Sequence, residues 1–179
     1  MKNIFEKLLG KKFICGHFYS NSLFPGARGQ KPHLDYPYLG MEKIWKKFPI
    51  NSTNNLILNC QTMILLDDFT DKNGATELVP GSQKFNTYPN KKIFDKKKIK
   101  LLYPKGSLII FNGLAWHGSS SNFSYNERIA ILGQYLPFFI KPMSNLKNFI
   151  KKNEINKLDT RLRQLLGIGL VHPVENLKS

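Results

Sequence analysis

Apolar residues recur along this chain with two different periods. Near the start, Ile4, Phe5, Leu8 and Leu9 stand at helical spacing, which predicts a short helix over residues 2–9. From there to Pro137 the apolar and β-branched residues cluster in short runs between turn signals. They predict strands at residues 12–19, 27–35, 56–66, 75–79, 99–103, 107–112 and 128–136. Pro25-Gly26, Asp71 to Gly74 and Pro80-Gly81-Ser82 punctuate them. Residues 41–48 fit one or two helical turns, residues 51–55 a polar loop, and residues 86–98 a Lys-rich loop. After Pro137 the helical period returns, at residues 144–152 and 160–166, with Gly167 placed as a helix C-cap. The pattern predicts an all-β core with flanking helices, as a sandwich or barrel. Regular strand–helix alternation is missing, which argues against a doubly wound sheet. One domain over residues 1–179 is expected, with its β core at about 12–137 and a helical segment at 138–179.

Composition narrows this picture. A chain of 179 residues fits one domain, and 41% hydrophobic content excludes wholesale disorder. The longest apolar stretches, such as 109–111 and 136–140, fall far below the ~18 residues of a membrane span. The first twelve residues contain Glu6 and Lys7 where an export signal needs an unbroken apolar core, so a cytoplasmic protein is expected. Cys15 and Cys60 form no CxxC, and two reduced thiols are expected.

The charge of +15 invites a nucleic-acid reading. Of the 27 cations, however, 23 are Lys and four are Arg: Arg28, Arg128, Arg161 and Arg163. Readers of bases and phosphates favour Arg, and no aromatic stacking platform accompanies these lysines. A solvated, Lys-rich surface accounts for most of the charge. Its field would also favour an anionic cosubstrate or substrate. No GxGxxG or GxxxxGK[ST] is present, so no phosphate-cradling loop is indicated.

Four histidines remain: His17, His33, His117 and His172. His33-Leu34-Asp35 ends a predicted strand, where residues i and i+2 share a face with Cα atoms about 6.6–6.8 Å apart. An imidazole and a carboxylate so placed can converge on one metal ion. His117, 82 positions after Asp35, could add a third ligand from another strand. Two His and one carboxylate form the facial triad of non-haem Fe(II) oxygenases. An HxD tripeptide alone has little specificity. His17 and His172 are read as non-ligands, and Trp116 as packing. Tyr36 and Tyr38 could line a mouth or pack on a rim. Asp67 and Asp68 are adjacent on a strand and point to opposite faces, so they are read as turn hydrogen-bond acceptors rather than as an acid/base pair.

The motifs surrounding the HxD carry a resemblance. In order, the chain shows HLD at 33–35, Leu66-Asp67-Asp68, Asn73-Gly74-Ala75, Val79-Pro80-Gly81-Ser82, Lys84, His117-Gly118-Ser119, Asn122, Ser124 and Arg128. Together these resemble the phytanoyl-CoA dioxygenase family, Fe(II)- and 2-oxoglutarate-dependent oxygenases built on a double-stranded β-helix. The resemblance covers roughly residues 25–135. It implies that His33, Asp35 and His117 hold iron, and that Arg128 and Ser119 hold the distal carboxylate of 2-oxoglutarate. Gln30, three positions before His33, would also line the site. For Arg128 a surface ion pair with Glu127 is the competing reading, and for Ser119 a turn hydroxyl. Halogenating relatives replace the triad carboxylate with a small residue, so Asp35 implies hydroxylation. Gln83 stands where many members carry His, in a loop.

Only 32 residues precede His33, where members usually carry a longer stretch. The expectation is a pared-down or truncated form in which N-terminal cosubstrate contacts are in question. The reading is therefore a 2-oxoglutarate-dependent dioxygenase using Fe(II), 2-oxoglutarate and O2 to hydroxylate a small organic or acyl substrate, with release of succinate and CO2. Two rivals stand beside it. One is a cupin-like module that binds metal or a small molecule without turnover. The other is a nucleic-acid-associated protein. Substrate and oligomeric state are not legible in the sequence.

Overall fold

The computed structural model describes residues 2–36, 44, 48 and 57–170. In chain order its elements are α1 (Lys2–Leu9), β1 (Ile14–Leu23), β2 (Cys60–Leu65), β3 (Thr76–Leu78), α2 (Lys91–Lys97), β4 (Ile99–Lys100), β5 (Leu108–Asn112), β6 (His117–Ser119), β7 (Arg128–Leu136), α3 (Lys152–Ile155) and α4 (Thr160–Leu165). Short 3-10 turns lie at Ser82–Lys84 and Leu146–Phe149.

Strand β7 organises the larger sheet. Its sequence, RIAILGQYL, alternates residues that face the interior with residues that face out. It pairs antiparallel with β1 on one side and β2 on the other, and β5 completes the order β1-β7-β2-β5. Register then sets which side chains share a face. Tyr19, Leu132 and Met63 stand in one row across three strands, and His17, Gln134 and Gln61 in another. A smaller sheet, β4-β3-β6, lies opposite, with Leu78 paired to His117 and Thr76 to Ser119. These two facing antiparallel sheets fit the sandwich or barrel that the strand pattern anticipates, and are the double-stranded β-helix that the resemblance implies.

Three apolar clusters hold the layers. Met63, Leu65, Phe69, Ala75 and Ala130 fill the space between the sheets. Phe5, Leu9, Phe13 and Cys60 pack α1 onto the outer face of the larger sheet. Leu34, Val79, Phe94 and Trp116 cover the outer face of the smaller one. Helix α1 buries Phe5 and Leu9 and leaves Ile4 and Leu8 exposed, so the helical spacing was right and its buried stripe is narrower. Both cysteines are free thiols, and burial pushes Cys15 up to about 11 and Cys60 to about 12.

Several elements differ from the expectation. Residues 27–35 are not a strand. The segment runs antiparallel beside β6, with His33 N–H donating to His117 O at 2.8 Å and Asn122 N–H to Ala27 O at 3.0 Å. Between those points, however, Gly29 N–H and Gln30 N–H donate to the hydroxyls of Ser121 and Ser119, at 3.1 and 3.0 Å. Side-chain acceptors replace the ladder, and Pro32 has no N–H to give. Only the His33–His117 bridge survives as β structure there.

Within the Lys-rich stretch 86–98, residues 91–97 are helical. Asn90 caps this helix, accepting from Ile93 N–H at 3.1 Å, and Phe94 anchors it. The strand expected at 99–103 shrinks to two residues. Strand β6, three residues long, had no expectation of its own. In the C-terminal segment, Asp159 caps α4 and Gly167 follows it at φ +70°, as its spacing indicated. The expected helix at 144–152 is instead a 3-10 turn followed by the start of α3. The expectations for residues 41–48 (apart from 44 and 48) and 51–55, and those for Tyr38 and His172, fall outside the described residues. Among the described residues no helix is long and apolar enough to cross a membrane.

Asn122 joins the loops at one end of this fold. It is 0% exposed. Its Nδ2 donates to Leu23 O and Asn126 O, both at 2.8 Å, and its Oδ1 accepts from Ser124 N–H at 2.9 Å and from the Ser124 hydroxyl at 2.6 Å. Removing the amide orphans several of these groups. Asn122→Ala should lower unfolding stability by about 2–4 kcal/mol, read as a fall in the urea midpoint at unchanged slope. A shift within error of zero would contradict this role.

Candidate metal and cosubstrate site

His33 and Asp35 face the space between the sheets because Leu34, between them, turns the other way into the Val79, Phe94 and Trp116 cluster. The His33–His117 bridge sets the two imidazoles with ring centroids 4.3 Å apart. Asp35 N–H donates to Gly113 O at 3.0 Å, which fixes the carboxylate beside both rings. His117 Nε2 lies 3.3 Å from Asp35 Oδ2, and His33 Nε2 lies 3.8 Å from Asp35 Oδ1. One ligand atom from each of the three residues falls within 4.8 Å of the others.

The two rings are oriented alike. His33 Nδ1 is 2.8 Å from Lys31 O, and His117 Nδ1 is 2.9 Å from Ala115 O. A carbonyl only accepts, so each Nδ1 carries a proton and each neutral ring presents its Nε2 lone pair inward. Backbone carbonyls bonded to the distal nitrogen are the usual outer support of metal-ligating histidines. Two imidazole nitrogens and one carboxylate oxygen, converging with one side left open, suit a non-haem Fe(II). The residues present fit that ion.

Electrostatics couple the three groups. Burial alone would make His117 harder to protonate, but Asp35, both as a charge and as a hydrogen-bond acceptor, raises it above its ordinary 6.5. Burial would raise Asp35 likewise, and the facing His117 instead holds it below 3.8. Burial, and then the charge on His117, hold His33 below 6.5.

The chamber around the triad has a volume of about 100 Å³ and is lined on other sides by Gln30, Ser119 and Arg128. Arg128 is 3% exposed and stacks over the Phe69 ring at 4.4 Å. Its Nη2 donates to Gly74 O at 2.9 Å and its Nη1 to Asn21 Oδ1 at 3.3 Å, while its Nε has no hydrogen-bond partner among the described residues. Gly74 suits this close approach. It sits at φ +79°, and a Cβ there would run into the Leu23 side chain. Burial pulls the guanidinium down to about 10, partly offset by Asp67. The surface ion pair with Glu127 is therefore not what holds Arg128. Ser119 is buried, and its hydroxyl accepts from Gln30 N–H, leaving its own proton to donate.

The sequence reading and the structure agree on several other residues. Asp67 and Asp68 accept backbone N–H groups, from Ile129 at 2.7 Å and Lys105 at 2.8 Å. Trp116 packs, and its Nε1–H donates to Thr87 O. Missing from the reading were Asn21, Gln61 and Gln134, polar residues at inward positions of strands, which also line the chamber. Gln61 and Gln134 each interrupt a largely apolar strand, whereas Asn21, between Ser20 and Ser22, gave no such signal. His17 lines the chamber too, but its Nδ1 engages the Ser144 hydroxyl at 2.6 Å.

Comparisons with known proteins point the same way. The family model described as phytanoyl-CoA dioxygenase matches residues 2–130. The chain is 27% identical over 169 residues to dioxygenase af480 of Aspergillus fumigatus, covering 92% of this chain and 50% of that protein. It is 29% identical over 123 residues to dioxygenase trt7 of Aspergillus terreus, covering 69% and 41%. The chain thus spans about half the length of these curated relatives. Among solved structures, EctD from S. alaskensis in its apoform superposes with a TM-score of 0.60 at 17% identity, over 77% of this chain and 50% of that one.

The triad makes a signed prediction about stability. Stability from protonated His117 is complete below 6.5 and is lost as pH rises through its raised value in the fold. Stability from neutral His33 is lost as pH falls below 6.5. Asp35 contributes above 3.8 and loses that contribution only at lower pH still. Chelator-treated protein should therefore show its highest melting temperature at about pH 6–7, falling on the alkaline side. Asp35→Asn should flatten that alkaline limb. A wild-type curve still rising through pH ~8 would contradict the coupling.

Proposed function

The chain belongs to the phytanoyl-CoA dioxygenase family, and on that premise we propose that it is an Fe(II)- and 2-oxoglutarate-dependent oxygenase that hydroxylates a small organic substrate. One observation carries the reading. The His33, Asp35 and His117 donor set shares its chamber with a buried Arg128 that has no carboxylate ion-pair partner among the described residues. A buried cation without an anion is expensive unless a ligand supplies one. The overall conversion is R–H + O2 + 2-oxoglutarate → R–OH + succinate + CO2, balanced in atoms and electrons.

In this reading His33 Nε2, His117 Nε2 and an Asp35 oxygen would hold the iron. The iron, when bound, supplies the redox chemistry with O2. The chain's own residues supply position and exclusion. The Lys31 and Ala115 carbonyls fix the two rings, so both nitrogens aim at one point. The Arg128 guanidinium and the Ser119 hydroxyl, whose residues both line the chamber, would meet the far carboxylate of the cosubstrate. A planar guanidinium meets a carboxylate with charge-assisted bonds, which fixes both its distance and its rotation. Phe111, packed edge-on to His117 at 5.0 Å between centroids, and Leu132 form an apolar wall that keeps bulk water from the reacting end. Asp35 is a carboxylate rather than a small residue, which supports hydroxylation over halide transfer.

The direct test is anaerobic addition of Fe(II) and 2-oxoglutarate, which should give a weak visible charge-transfer band, followed by succinate formation in air. A folded protein that binds metal but gives neither band nor succinate would favour a binding module and sink the oxygenase reading.

Arg128 offers a sharper check. Losing charge-assisted bonds of about 1.5–3 kcal/mol should raise the 2-oxoglutarate KM by about 10- to 150-fold in Arg128→Gln. The affinity for Fe(II) alone should hold, since Arg128 contributes no donor to the metal. Equal loss of metal and cosubstrate binding would mean the residue is purely structural.

A further inference from the structure

A second cavity, of about 690 Å³, lies against the outer face of the larger sheet. Cys15, Phe18 and Tyr135 form its floor, and Leu158, Leu162 and Leu166 its roof. The roof is tied down: Gln164 Nε2 donates to Lys11 O and Phe13 O at 2.9 and 3.0 Å, and Arg161 stacks over Phe13 at 4.3 Å. The roof residues, 158–166, lie beyond the stretch matched by the family model.

Three features link this cavity to the triad chamber. First, His17 and Tyr19 line both spaces. Second, β1 is an edge strand of the larger sheet among the described residues, so a molecule can turn around it there without crossing a described strand. Third, consecutive residues divide the two spaces: Met143 lines the chamber and Ser144 the outer cavity. Ser144 is held there by its N–H to Gly16 O at 2.9 Å and by the 2.6 Å bond between its hydroxyl and His17 Nδ1.

Size and polarity specify the occupant. The chamber around the triad measures about 100 Å³, against about 690 Å³ for the outer cavity. The outer cavity lies within the ~300–1,000 Å³ range of small-molecule sites. No Lys, Arg, Asp or Glu lines it among the described residues, although 22% of the chain is charged. An anionic body would be desolvated there without a partner.

We propose that this cavity holds the body of an uncharged, apolar substrate, whose reacting end passes His17 and Ser144 around the edge of β1 into the triad chamber. The proposal rests on the oxygenase reading for the word substrate, while the cavity itself can be tested without metal.

The experiment titrates n-decanol, as an uncharged apolar probe, into metal-free protein with 13C-labelled methyl groups, followed by NMR. Saturable shifts at the Leu158, Leu162 and Leu166 methyls together with Met143 are expected. Leu162→Trp, at a 46% exposed position of α4, fills the roof and should weaken binding at least about tenfold. Leu158→Trp serves the same purpose if the first variant melts early. Absence of saturable leucine shifts, or equal binding by wild type and a folded Trp variant, overturns the cavity. Leucine shifts without any response at Met143 overturn the route to the chamber. Decanol binding in a protein that never gives the charge-transfer band removes the oxygenase reading, and with it the substrate role.

Discussion

The site depends on one strand-like pairing that is barely a strand. Residues 27–33 lie against β6, and the mutual His33–His117 backbone bonds fall at the only bridge in that stretch. Everything chemical about the chamber follows from this bridge. It puts two imidazoles on one face, and the period of two then carries Asp35 to the same face as His33. The rest of the segment is fastened by the hydroxyls of Ser119 and Ser121 rather than by a ladder. Gly29 is what permits that approach, because a Cβ there would collide with the Ser119 carbonyl and the Ser120 backbone. Ser119 therefore stands in two roles at once, as an anchor for the segment bearing two of the three donors and as a donor toward the chamber.

Charge is distributed unevenly in this fold, and the unevenness has a physical reason. Lysines keep their ammonium groups in water, as Lys91 with Asp95 and Lys100 with Asp71 do at the surface. Among the described residues Arg128 is the lone buried cation. Guanidinium is more weakly hydrated than ammonium and can share its cost with a ring face and carbonyls. Phe69, Gly74 O and Asn21 Oδ1 do this in part. The remaining imbalance is what an incoming carboxylate would correct. The described lysines thus stay at least partly in water, and the buried cation that lines the chamber is Arg128.

How far the sequence discloses this depends on the kind of signal. Strand β7 was legible to the residue, because nine alternating positions between polar turns leave little freedom. Helix α2 was hidden by its own composition, since a run of lysines reads as a loop unless Asn90 is recognised as a cap and Phe94 as an anchor. Residues 27–33 looked like a strand because they are extended, but hydroxyl acceptors on β6 took the places of ladder carbonyls. The HxD could not by itself be told from a chance tripeptide. His117 became its partner only through the ordered motifs between them, which is an argument from resemblance rather than spacing. Gln61, Gln134 and Asn21 went unnoticed because a polar residue on a strand reads as outward until the register says otherwise.

That same register explains why two cavities exist. In β1 the pairing with β7 slips between Cys15 and His17, a bulge centred on Gly16. Gly16 has no room for a side chain, since a Cβ would meet Gln134 Oε1 and Leu136 Cδ1 at 2.6 Å. A bulge inserts one residue and so flips the alternation that follows it. With it, Cys15 faces outward under the helices while His17, Tyr19 and Asn21 face the chamber. Without it, His17 would lie on the outer face and Phe18 would occupy the chamber. The bulge therefore does two things. It brings a polar row into the chamber, and it leaves His17 at the lip, where it reaches Ser144 of the C-terminal segment. The polar-lined chamber and the larger apolar space beside it both follow from one extra residue in this edge strand.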